Sequence, residues 1–131
     1  MSTDVVPEHV VALLRSATIG HLATSRGSRP HVTPVWLDFD EHAGCVVVNL
    51  GAETRKIRDL RLNPHVAISL VSASNSAMWT VIEGTAVEMT ADGGGRHLQR
   101  LARRYLGRDK RKFAERIVVR IKPERVMSWQ E

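Results

Sequence analysis

The chain is short of the residues that cross-link proteins or carry them through membranes. Cys45 is the single cysteine among 131 residues, so no disulfide framework or cysteine metal cluster can form, and a reducing cytoplasm fits. Lying in an apolar run, Cys45 reads as a small buried hydrophobe. The first residues hold no basic region followed by a long apolar core, and no stretch of about eighteen apolar residues occurs anywhere, so neither export nor membrane spanning is expected. The histidines His9, His21, His42, His65 and His97 have no metal-ligand spacing, and no HExxH or carboxylate cluster accompanies them, so no metal is expected. His31 reads as a surface group at a strand start, with proton donation as the alternative. There is no catalytic triad, no paired carboxylate motif, no internal repeat and no low-complexity tract. Aromatic residues number six, three of them tryptophan, which supports base stacking poorly and makes nucleic-acid binding a minor reading.

What remains is an ordinary globular composition. At 43% hydrophobic, residues 1–131 are expected to form one domain that buries about two-thirds of its unfolded surface. The net charge of +5 is unevenly spread. Nine basic residues against two acidic ones between Arg96 and Arg116 give that stretch +7 and leave −2 for the rest of the chain. The basic face is either a solvated helix surface or an attractor of polyanions: nucleic acid, phosphates or an acidic cofactor tail.

Hydrophobic periodicity predicts a helix over Pro7–Ser16, then strands over Ile19–Thr24, His31–Phe39 and Cys45–Leu50, joined by turn chemistry at Ser25–Pro30 and Asp38–Gly44. Short loops between these three strands predict an antiparallel meander. Further strands are expected at Val66–Val71, Met78–Glu88 with a bulge at Gly84, Ile117–Ile121 and Arg125–Trp129, the last two separated by Lys122-Pro123-Glu124. Asp92 is expected to cap a helix whose Leu98, Leu101, Ala102, Tyr105 and Leu106 share one face, and Arg108–Lys112 to be an exposed loop. Six or seven short antiparallel strands with two or three helices predict a closed barrel with peripheral helices.

The segment richest in chemical suggestion is Gly51–Pro64, G-A-E-T-R-K-I-R-D-L-R-L-N-P. It follows a buried strand, and Thr54 can cap a short helix with Ile57 and Leu60 turned inward. An anion in front of that helix gains from its first free N–H groups and from the positive end of its dipole, with Thr54, Arg55 and Lys56 in the first turn. The alternative is a solvated basic face partly neutralised by Asp59.

The order I-G-H-L-A-T, R-P-H-V-T-P-V-W, a strand, T-R-K-I-R-D-L-R-L-N-P-H-V-A-I-S-L and V-I-E-G-T-A-V resembles the pyridoxamine 5'-phosphate oxidase-like split β-barrel family, in particular its actinobacterial F420-dependent oxidoreductase branch. The resemblance is clearest over Leu13–Met89. It implies a mainly β split barrel with peripheral helices, a homodimer with a cofactor groove between subunits, and binding of coenzyme F420 or, alternatively, FMN. Phosphate contacts fall on Thr54, Arg55 and Lys56, with Arg61 beside them. Val32, Thr33, Pro34, Val35 and Trp36 would run along the ring edge. Asn49 joins the cofactor set, and Met78 and Trp79 would approach from the other subunit, with plain core or dimer packing as the alternative for both. Pro34 supports an edge strand on its own account, because proline cannot donate to a sheet ladder. The implied activity is hydride transfer from reduced F420 to an unsaturated organic substrate. An FMN oxidoreductase and a non-catalytic deazaflavin carrier are the alternatives, and no catalytic side chain is assigned.

Overall fold

The computed structural model describes residues 6–129. Helix α1 (Glu8–Arg15) precedes strands β1 (Gly20–Arg26), β2 (Arg29–Val35), β3 (Asp38–Asp40) and β4 (Cys45–Gly51). Helix α2 (Arg55–Leu62) leads to β5 (His65–Val71) and β6 (Trp79–Thr90), and α3 (Gly94–Leu106) to the long β7 (Arg116–Trp129). All pairings are antiparallel, in the order β2-β1-β5-β6-β7-β4-β3. The described residues are therefore mainly β, with seven strands and three helices, a split β-barrel.

The expected meander over the first three strands does not form. The segment His31–Phe39 breaks at Trp36-Leu37: β2 pairs with β1 at one edge of the sheet, and β3 pairs with β4 at the other. Two consecutive strands thus end the sheet on opposite sides, and the two residues between them close the barrel. Leu37 at that corner has no exposed surface, so the apolar run that looked like one strand is a bend pinned into the core.

Period 2 explains why all seven residues of β4 are buried. Val46, Val48 and Leu50 enter the barrel core with Leu22, Ile68, Ile82, Val119 and Ile121, while Asn49 on the opposite face meets α3. Both faces are covered, so both are apolar or hydrogen-bonded. The two strands expected near the end are one strand, β7. Pro123 sits within it, opposite Gly84, where the register shifts. The register does slip beside Gly84, but the extra residue there, Glu124, belongs to β7 next to Pro123, and the extra residue of β6 is Val87. A Cβ on Gly84 would overlap the Lys122 carbonyl.

Asp92 does not cap α3. Gly93 holds that position at φ 70°, a left-handed conformation that glycine adopts without cost. Asp59 pairs with Arg55, as the alternative reading of this segment expects, but not on a solvated face. It has no exposed surface and ties α2 to the β1–β2 hairpin, accepting from Arg26 Nε at 2.9 Å and Thr24 Oγ1 at 3.2 Å, with Arg55 Nε at 3.4 Å. Burial opposes its charge, but the hydroxyl and the two guanidinium groups outweigh burial and hold the carboxyl below its ordinary value. A depressed carboxyl stabilises the fold fully above the unfolded pKa, near 4, and that contribution is lost as pH falls through the folded value. The denaturation midpoint should therefore be flat from pH 6 to about 4 and fall below it. Asp59→Asn should lower the plateau and flatten the acid limb; an unchanged limb counts against this assignment.

Candidate functional site

A cavity of about 490 Å³ opens where β2, β4, α2 and the start of β7 come together. Ile19, Pro34, Val35 and Trp36 form one wall, Asn49, Leu50 and Gly51 the end of β4, Thr54 and Lys56 the first turn of α2, and Leu98, Lys110 and Arg116 the remaining side. Trp36 is held by stacking on Tyr105, with ring centroids 5.1 Å apart and planes at 10°. The Tyr105 hydroxyl donates to the Thr18 carbonyl at 2.8 Å and accepts from the Leu37 N–H at 2.9 Å. The corner that closes the barrel is thereby also the aromatic wall of the cavity.

Three cations line this space, Lys56, Lys110 and Arg116, and the charges of Lys56 and Arg116 act on each other. Burial lowers the Lys56 ammonium below its ordinary range, and the neighbouring Arg116 charge lowers it further. Burial likewise depresses Arg116. No carboxylate is among the residues lining the cavity. Like charges brought together in a partly dry site without a counter-ion gain by taking an anion. The helix adds to this: its ladder starts with Arg58 N–H to Thr54 O at 3.3 Å, so the N–H groups of residues 55–57 precede any intrahelical partner. Thr54 stands at the cap position, but its hydroxyl donates to the Gly51 carbonyl at 2.8 Å and makes no side-chain cap.

Arg116 is anchored from behind. Its Nε donates to Asn49 Oδ1 at 2.8 Å and its Nη2 to the Asn49 carbonyl at 3.1 Å. Asn49 Nδ2 lies 2.8 Å from the Gly94 carbonyl and 3.1 Å from His97 Nδ1, and His97 Nε2 lies 3.1 Å from Asp38 Oδ2. Gly94 is part of this arrangement, since a Cβ there would overlap the Arg116 carbonyl. Gly94→Ala should cost about 1–3 kcal/mol of stability and weaken anion binding as Arg116 is pushed; thermal unfolding and titration check both, and a variant with wild-type stability refutes the contact.

Of the residues expected from the sequence, Pro34, Val35, Trp36, Asn49, Thr54 and Lys56 meet at this cavity. Arg55 turns to Asp59, Arg61 is exposed, and Val32 is 61% exposed and outside the cavity lining. Thr33, on the same strand, has a buried hydroxyl with no hydrogen-bond partner. Met78 and Trp79 lie outside the cavity of a single chain, Trp79 beside Val71 and Trp129 in the sheet register. Arg116 and Lys110, expected only as members of the basic stretch, and Ile19 and Leu98, expected only as strand and helix residues, line the cavity as well. Lys110 was expected in an exposed loop, but Gln99 clamps its backbone, accepting from its N–H and donating to its carbonyl, both at 2.8 Å. The sequence signal for Arg116 is its place at the end of the basic stretch from Arg96, immediately before a strand.

An apolar, cation-lined cavity at the corner of a seven-stranded split barrel suits a small molecule that carries an anionic group. The chain belongs to the pyridoxamine 5'-phosphate oxidase family, whose model matches residues 6–130. Its fold is similar to that of an F420 reductase, at 27% identity and a TM-score of 0.81 over 93% of this chain and 98% of that one. A conserved hypothetical protein from Mycobacterium tuberculosis matches at 24% identity and 0.72, over 98% of this chain and 84% of that one. A FAD-binding protein from Mesorhizobium loti matches at 19% and 0.65, over 89% and 88% respectively. No curated protein matches. Among the described residues no helix is long and apolar enough to cross a membrane, and no group of three or more His, Cys, Asp or Glu is placed to hold a metal ion.

Proposed function

We propose that this chain is an F420H2-dependent reductase acting on an unsaturated organic substrate. The observation that carries the reading is the pairing of Lys56 with Arg116 in an apolar cavity lined by no carboxylate, which suits the phosphate of a ring-bearing cofactor. The similarity to an F420 reductase over nearly the whole of both chains supports the choice of ring.

Lys56, Arg116 and the Thr54 end of α2 hold the phosphate, with Asn49 behind Arg116. Pro34, Val35 and Trp36 orient the ring along β2, an edge strand with β1 as its one neighbour. Leu50, Leu98 and Ile19 exclude water from the ring's surroundings. Arg55 shapes the helix start through Asp59 and does not itself touch the ligand. Once bound, reduced F420 supplies the hydride, and the protein contributes anchoring, orientation and a dry wall. That division of labour accounts for an apolar site without a triad or paired carboxylates.

We further propose a homodimer. Val71, Trp79 and Trp129 stand side by side across β5, β6 and β7 and are 48%, 38% and 54% exposed. A row of large apolar side chains on a sheet face suits burial against a second copy, which would bring Met78 and Trp79 toward the partner's cofactor groove with Val32 and Thr33 near by. Sedimentation equilibrium tests this, and a monomer at micromolar concentration refutes it.

An FMN- or FAD-binding role is the second reading, favoured by the common fold with a FAD-binding protein. The absorbance spectrum of the purified protein, followed by titration with F420 and FMN, separates the two. Binding of F420 with no response to FMN supports the proposal; co-purified FMN overturns it. Binding of F420 without turnover against a panel of enones and nitro compounds would make the chain a carrier.

A further inference from the structure

We infer that Asn49 is a positioning residue for Arg116, and that His97, held by Asp38, fixes the orientation of the Asn49 amide. The inference rests on the cavity being an anion site and extends it beyond the residues that line it, since neither His97 nor Asp38 does so. Asn49 is 9% exposed. Its Oδ1 and its backbone carbonyl take up Arg116 Nε and Nη2 at 2.8 and 3.1 Å, which occupies one edge of the guanidinium. The remaining nitrogen, Nη1, lies beside Gly51, where a Cβ would stand 3.5 Å from it.

The orientation of the amide follows from what each neighbour can donate or accept. Arg116 has only N–H groups to offer, so Asn49 must present oxygen to it. The amide nitrogen then faces the Gly94 carbonyl at 2.8 Å and His97 Nδ1 at 3.1 Å. A carbonyl can only accept, and Nδ1 must accept too, which places the His97 proton on Nε2. That nitrogen is aimed at Asp38 Oδ2, 3.1 Å away, and a carboxylate welcomes the proton there. A reversed amide would set Nδ2 against Arg116 and Oδ1 against the Gly94 carbonyl, two repulsive contacts in a buried place. The carboxylate selects the tautomer, the tautomer supports the amide, and the amide aims the guanidinium.

The test uses inorganic pyrophosphate as the probe, so that failure of F420 to bind counts against the proposed cofactor alone. His97→Gln keeps an amide within reach of Asp38 and removes the acceptor facing Asn49. It is expected to raise the pyrophosphate Kd about five- to tenfold and to speed solvent exchange of the Arg116 Nε–H, read as its own 1H–15N cross-peak. In an Arg116→Ala background the same change should leave the Kd where it was. A folded His97→Gln protein with wild-type Kd and cross-peak overturns the inference, as does an equal loss in the Arg116→Ala background. Should His97→Gln not fold, the wild-type cross-peak decides: exchange as fast as that of exposed arginines such as Arg111 overturns it, and slow exchange before any anion is added upholds it.

Discussion

Lys56→Ala should weaken binding of a phosphate-bearing cofactor by about 2 kcal/mol, roughly thirtyfold. Arg116→Ala should cost at least as much, because its guanidinium is already held in place and loses little freedom on binding. The two share one anion, so the double variant should lose less than the sum. Unchanged titration curves for both single variants would remove the phosphate from this corner of the barrel. A second readout needs no ligand. Burial and then Arg116 hold Lys56 below the ordinary lysine range, so the unfolded chain binds more protons in the alkaline window between the folded value and about 10.4. Stability of the ligand-free protein should therefore rise with pH across that window, and Lys56→Ala should abolish the rise. An anion that restores the lysine's charge should flatten it as well.

Asp38→Ala should cost about 3 kcal/mol and lower Tm by about 10 °C for a chain of this size. Asp38 is 5% exposed and receives four donors: the Phe39 N–H at 2.9 Å, His97 Nε2 and Arg100 Nη2 at 3.1 Å, and Arg104 Nη2 at 3.2 Å. Burial works against its charge, yet His97, the Phe39 N–H and the two arginines outweigh burial and hold the carboxyl far below its ordinary value. Without it, Arg100, whose side chain is 65% exposed, returns to water. His97 and Arg104, at 9% and 25%, do not, and they carry most of the cost. Asp38→Asn keeps one acceptor oxygen and should lose less. Thermal unfolding decides, and a Tm within two degrees of wild type for Asp38→Ala would show that the cluster is solvated rather than structural.

This cluster also absorbs much of the basic stretch. Arg100 and Arg104 pair with Asp38, Arg103 with Asp109 at 2.6 Å, and Arg116 with Asn49. A run that read as one uniform cationic face is divided between inward ties and outward charge. The split follows from period 3.6 on α3, which sets Arg100 and Arg104 one turn apart over β3.

Much is legible in the order of the amino acids. Alternation marked the strands, Gly84 marked the place where the register slips, Pro34 marked the edge, and Cys45–Leu50 followed by Thr54 marked the strand-to-helix step that carries Lys56. Each of these signals is local, set by backbone sterics, side-chain period or the missing N–H of proline. Trp36-Leu37 misled because a bend buried on both sides is as apolar as a strand. Asp59 misled because its partner Arg26 is 33 residues away; a carboxylate between arginines looks like surface until that partner is known.

Local chemistry alone determined that this chain would build antiparallel strands around an apolar core and offer cations at the start of α2. Which cation joins Lys56 was decided by the tertiary structure. Register pairs Gly51 with Arg116 across β4 and β7, joining residues far apart in the chain. The close approach of α3 at Gly94 then brings His97 and Asp38 behind Asn49. Hydrogen-bond direction and burial act between residues that only folding makes neighbours, and so the basic stretch could not by itself show which of its nine cations stands beside Lys56.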